Sequence, residues 1–118
     1  MDAEWNWQAA AISAPFGQAG RIGVNHDQPG QATVLYVHRL DSTNVDRSAT
    51  LQWLTRHDVV YLQTKTQAPS WHRYEVTGRG SMQGDCWLIP VQTEVGSAEG
   101  TEPAQATPLL VSIPGGPA

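Results

Sequence analysis

Three stretches decide the fold: VVYLQTK at residues 59–65, SWHRYEVTG at 70–78 and DCWLIPVQTEV at 85–95. Each is rich in β-branched and aromatic residues, which fit a pleated, half-buried surface. In the middle stretch His72, Tyr74 and Val76 alternate with Trp71, Arg73 and Glu75. That period of two places the more apolar set on one face of a strand. Short Pro/Ser and Gly-rich connections separate the three, so antiparallel neighbours are expected, the first two as a hairpin. Pro90 lacks an N–H for a ladder and predicts an edge strand or a bulge beside it.

Outward from this core the pattern continues. ATVLYVHR at 32–39 reads as a further strand, and RIGVN at 21–25 as a half-buried one with Ile22 and Val24 together. In AEWNWQ at 3–8, Trp5 and Trp7 stand two apart and share a face. Pro29-Gly30 in HDQPGQ suggests a type II turn, because Gly accepts the positive φ required there. Between strands, Leu51 and Leu54 in DRSATLQWLTRH line one side at helical spacing. A short helix over about residues 46–56, capped by Asp46, follows.

After Val95 the composition changes. GSAEGTEPAQATP at 96–108 has the character of an extended linker, and LLVSI at 109–113 is a compact apolar run. The expected organisation is one antiparallel β-sandwich or barrel-like domain over residues 1–95, followed by a C-terminal arm over 96–118. The apolar tip could add a strand to its own sheet or to a neighbour's. Docking on a neighbour makes Leu109, Leu110, Val111 and Ile113 a partner interface, with Trp5 and Trp7 near it.

Composition excludes several functions. With 118 residues the chain fits one core, and its net charge of −4 with seven scattered Lys and Arg offers no phosphate footprint. No nucleic-acid partner is expected, nor any membrane partner, because no long apolar run is present. The opening residues lack the basic start of a secretory signal, so synthesis and assembly in the cytoplasm are expected. His26, His38, His57 and His72 lie at least twelve positions apart, without metal-ligand spacing, so neither a metal nor another cofactor is expected. His57 and Asp58 are adjacent and point to opposite sides, so a catalytic dyad is not expected; Cys86 reads as a small buried hydrophobe. The aromatics mainly fill the core, leaving Trp5, Trp7 or Trp71 as possible stacking surfaces for a glycan.

The segments DRSATLQWL (46–54), DVVYLQ (58–63), RYEVTG (73–78) and GDCWLIPV (84–91) together resemble a small β-rich module of tailed-bacteriophage virion proteins. The likeness lies in their order: a short polar-to-apolar helix, a strand, an R-Y-x-V strand, a Gly/Asp turn and a Trp-bearing strand ending in Pro-Val. It spans about residues 40–95. The resemblance implies a non-enzymatic structural protein of the virion. Its expected role is capsid decoration or minor capsid protein, binding the shell and neighbouring copies as a homo-oligomer. A tail, collar or fibre-associated protein, or a carbohydrate-binding module, is the alternative.

Overall fold

A computed structural model describes residues 2–8, 12, 18–64, 72–93 and 105–113. Among these residues there are eight strands, β1 (Asp2–Trp7), β2 (Arg21–Val24), β3 (Val34–His38), β4 (Val59–Thr64), β5 (His72–Val76), β6 (Ser81–Gln83), β7 (Cys86–Thr93) and β8 (Pro108–Ser112), and one α-helix, α1 (Ser48–Leu51), between β3 and β4. The hydrogen-bonded order β3-β2-β1-β8-β4-β5-β7 closes on itself, because β7 also pairs with β3 from Val34↔Pro90 to His38↔Cys86. Seven strands therefore make a closed barrel in place of the two sheets of a sandwich. Closure removes the unpaired edges that a sandwich would retain. β1 and β2 run parallel, through Asn6↔Arg21 and Trp7↔Ile22, so the barrel is mixed.

Alternation fills the interior. Trp5 and Trp7 from β1, Ile22 and Val24 from β2, Leu35 and Val37 from β3 and Val60 and Leu62 from β4 point inward. Tyr74, Val76, Ile89, Val91, Leu109 and Val111 complete the core. The indole N–H of Trp5 is satisfied inside the barrel, donating to the His38 carbonyl at 3.0 Å. A buried indole without such an acceptor would leave a polar group desolvated.

The C-terminal run is a stave of this barrel. β8 pairs antiparallel with β1, from Asp2↔Ser112 to Asn6↔Pro108, and with β4, from Tyr61↔Ser112 to Thr64↔Leu109. Leu109 and Val111 are fully buried and Ile113 is nearly so, while Leu110 is half-buried on the outer face. The expected reaching arm is thus replaced, over these residues, by intrachain pairing on both strand edges. Its apolar side chains already have a core to enter. Strands on both sides of the expected boundary at residue 95 belong to one barrel.

The helix is shorter than the expected 46–56. Its N-cap is Arg47, which makes no side-chain cap, in place of the expected Asp46; Asp46, one residue earlier, accepts the Ser48 N–H at 2.9 Å. Leu51 and Leu54 are both buried, but residues 55–58 read TRHD and offer nothing further to bury. Helical turns in proteins persist mainly through such burial. Pro29–Gln31 forms a 3-10 turn, with Gln31 N–H donating to the Gln28 carbonyl, and Gly30 is not among the residues of positive φ. The expected type II geometry is therefore replaced by a tighter one.

Pro90 behaves as a bulge marker. β5 meets β7 through Val76↔Val91 and β6 meets it through Ser81↔Leu88, with residues 77–80 unmatched between them. The Pro90 carbonyl accepts the Thr77 N–H, so the missing donor at Pro90 faces this interruption. Beyond it, β6 and the start of β7 form a hairpin that β5 does not accompany. Gly84, at φ +60°, opens its two-residue turn, as a type II′ connection requires.

Candidate functional site

Outward-facing side chains of β5 and β7 build a depression on the barrel wall. Glu75 and Gln92 are cross-strand partners, so their side chains emerge together. Gln92 Nε2 donates to Glu75 Oε1 at 2.8 Å, and Glu75 Oε2 lies 3.1 Å from His57 Nδ1. Arg56 Nε donates to the Thr77 carbonyl at 3.3 Å and closes another side. With Val76 these residues line a recess of about 250 Å³.

His57 sits there at φ +81°, a conformation that costs a non-glycine residue roughly 1–3 kcal/mol. Its backbone is held on both sides: His57 N–H donates to the Val76 carbonyl, and Val76 N–H donates to the Asp58 carbonyl. The hydrogen bond from Gln92, and then that from His57, holds the Glu75 carboxyl below the usual carboxylate range. An ionised carboxylate only accepts, so His57 Nδ1 carries the proton and, in the neutral ring, the exposed Nε2 presents a lone pair. The recess can accept a hydrogen bond at Nε2 and donate one from the Arg56 guanidinium. Among the described residues, neither serine nor cysteine lines it.

Asp58 is uninvolved, because its carboxylate accepts the Thr55 N–H at 3.0 Å. Glu75 and Gln92, seventeen positions apart, were the partners sequence reading missed. Their outward phase on β5 and β7 is visible in the alternation, but the register that joins them is not.

The other histidines are structural. His38 is buried, and its Nδ1 accepts the Leu40 N–H at 3.1 Å. Burial, the largest influence, pushes its pKa below 6.5 despite the opposing field of Asp85. His72 is also buried and meets the Thr93 hydroxyl at 3.1 Å; that hydroxyl donates to the Gly30 carbonyl, so His72 Nε2 is the donor. Asp41 organises the loop before α1. Its Oδ1 accepts from the Thr43 N–H, the Thr43 hydroxyl and the Val45 N–H, while Oδ2 accepts Arg47 Nε at 2.8 Å. Burial pushes this carboxyl up, but the hydrogen bonds from Thr43, Arg47 and Val45 outweigh it and hold it below 3.8. Among the described residues, no group of three or more His, Cys, Asp and Glu side chains could hold a metal ion.

The residues expected at an interface fall elsewhere. Trp5 and Trp7 are wholly inside the barrel and cannot stack on a glycan or touch a partner in this fold. Leu109, Val111 and Ile113 are core residues, and Trp71 lies outside the described residues. Among the described residues the exposed aromatics are instead Tyr61 on β4 and Trp53, 46% accessible just after α1, with the Arg79 guanidinium 5.9 Å from the Trp53 ring centroid. Arg79 belongs to the bulge before β6, and Met82 on β6 is also exposed. Trp87, opposite Met82, donates its indole N–H to Ser48 Oγ and ties this hairpin to α1.

Compared with protein-family models, with curated proteins and with solved structures, the chain matches none.

Proposed function

We propose that this chain is a non-enzymatic structural protein of a tailed-bacteriophage virion, a capsid decoration or minor capsid protein that binds the shell and neighbouring copies. The observation that supports this reading is spatial. The four sequence segments behind the phage likeness fold as α1, β4, β5 and the turn and strand of β7, where β4, β5 and β7 are consecutive staves. Trp87 to Ser48 joins the hairpin to α1, so the segments form one continuous wall rather than scattered matches. Surfaces for the major capsid protein or for tail proteins then lie on the outer face of this wall and on the β6–β7 hairpin. Location in the assembled particle, after assembly in the host cytoplasm, belongs to the same proposal.

Mass spectrometry of gradient-purified, salt-washed particles from the phage encoding this chain tests it. The chain is expected in stoichiometric amount. Its presence in the infected lysate but absence from washed particles refutes the reading. A carbohydrate-binding role is the second reading, favoured by one observation: Trp53 offers an exposed ring beside a cation. Glycan binding lost in Trp53→Ala with the fold intact supports that alternative.

A further inference from the structure

We propose that the recess beside His57 is a saccharide site that takes adjacent hydroxyls of a neutral sugar, and that His57 is held in its strained conformation for that ligand rather than for the fold. This deepens the carbohydrate-binding reading and rests on it; it does not depend on the virion reading.

Backbone geometry at position 57 favours glycine. At φ +81° a side chain is strained, and such strain persists only where the surroundings impose it. The bonds that impose it run from the His57 N–H to the Val76 carbonyl, from the Val76 N–H to the Asp58 carbonyl and from the Asp58 N–H to the Thr55 carbonyl. All are main-chain and would serve a glycine equally. The imidazole itself is 79% accessible and buries little. Its polar contact with Glu75 is solvent-exposed, of the kind that contributes little to stability. The fold thus gains little from this side chain and would shed strain without it. Strained residues of this kind cluster where ligands are met.

The ring is nevertheless aimed. Gln92 Nε2 fixes Glu75, the ionised Glu75 accepts from Nδ1, and Nε2 is left as an acceptor. Beside it Arg56 spends Nε on the Thr77 carbonyl. Among the described residues no carboxylate bridges its terminal nitrogens, which remain donors. An acceptor next to a donor matches a hydroxyl, which both gives and receives; a second hydroxyl on the adjacent carbon extends the match to Gln92 Oε1. Arg56 and Glu75 bring one positive and one negative charge to the lining, so a charged ligand would meet its like as well as its opposite. A neutral one meets no such penalty. The volume, about 250 Å³, is below that of a pocket for a drug-sized molecule and suits a single sugar ring.

A flat apolar surface adjoins the recess. Trp53, nearly half exposed, precedes Arg56 by three residues, and Arg79, whose guanidinium lies 5.9 Å from the indole centroid, follows Thr77 by two. The indole is therefore tied to the rim from both segments, within about 11 Å of Arg56 along the chain. The C–H face of a pyranose packs on such a ring. One sugar unit in the recess and the next at Trp53 make the site one for an oligosaccharide.

The test uses the purified full chain in two measurements. In urea unfolding, His57→Gly is expected to keep or raise the midpoint; a lowered midpoint, or a chain that does not fold, assigns the ring to the fold and overturns the proposal. On an array of immobilised neutral and acidic oligosaccharides, the chain is expected to be retained by neutral members. His57→Gly and Arg56→Ala are each expected to weaken that binding at least about tenfold. Retention on acidic members alone, or neutral binding indifferent to both variants, overturns the proposal. Neutral binding that is lost in Trp53→Ala but kept in His57→Gly overturns the recess and leaves the carbohydrate-binding reading standing, whereas retention on no member overturns both.

Discussion

Removing residues 106–118 should unfold this protein, although the sequence reads as an arm that could dock on a neighbour. The deletion takes away β8 and with it Leu109, Val111 and Ile113, all buried within the barrel. At about 1.5–3 kcal/mol for each buried aliphatic side chain, the loss is roughly 5–9 kcal/mol. It also strips the ladders on β1 and β4, which β8 holds apart, and leaves two facing strand edges without partners. A domain of this size is stable by about 5–15 kcal/mol, so the truncated chain has little or nothing left. Urea unfolding followed by circular dichroism and tryptophan fluorescence measures this directly, because Trp5 and Trp7 report on the core. A milder probe, Leu109→Ala, should cost about 2–5 kcal/mol with the midpoint shifted and the slope unchanged. A truncated chain that unfolds cooperatively with stability within about 1 kcal/mol of the full chain would refute the intrachain role of β8.

Other perturbations follow from the loops and turns. Asp41→Ala leaves the Thr43 and Val45 N–H groups and the Arg47 guanidinium without their acceptor, and should cost about 3 kcal/mol by chemical denaturation; a change under about 1 kcal/mol would contradict the carboxylate's organising role. His38 has a folded pKa below 6.5, so the unfolded chain takes up its proton first; its stabilising contribution is complete above about pH 6.5 and declines as pH falls through the folded value. Replacing it by Gln should flatten that decline in the urea midpoint, and an identical pH profile in both proteins would discount His38 as its source. Gly84→Ala meets no atom within 4 Å, so its cost is the backbone strain at φ +60° alone, about 1–2 kcal/mol in thermal unfolding.

Elements that depend on neighbouring residues were legible, and those that depend on register were not. The alternation of His72, Tyr74 and Val76 against Arg73 and Glu75 marks β5 and its inner face from the sequence alone. Trp5 and Trp7 were correctly placed on one face, but the same period of two fits a surface platform and a core wall equally well. Only closure of the barrel turns that face inward. The parallel β1–β2 pairing and the insertion of β8 between β1 and β4 join residues that no local pattern links. LLVSI showed that a strand was present and left open whose sheet it completed. The His57–Glu75–Gln92 chain was hidden for the same reason: it is a product of how β4, β5 and β7 align.

The pairing of β1 with β8 also fixes when the barrel can exist. Asp2 meets Ser112, so a strand near the start of the chain must wait for one made more than a hundred residues later. Closing so long a loop comes before its contacts are rewarded, which makes the final step of folding slow. During synthesis β1 and β4 stand with open edges, separated by the width of a missing strand. The nascent protein is consequently a template awaiting completion, and a neighbour's last strand can compete for the gap until its own emerges. Exchange of β8 between copies, rather than loss of the helix or the hairpin, is the characteristic misassembly to expect when this barrel is made quickly.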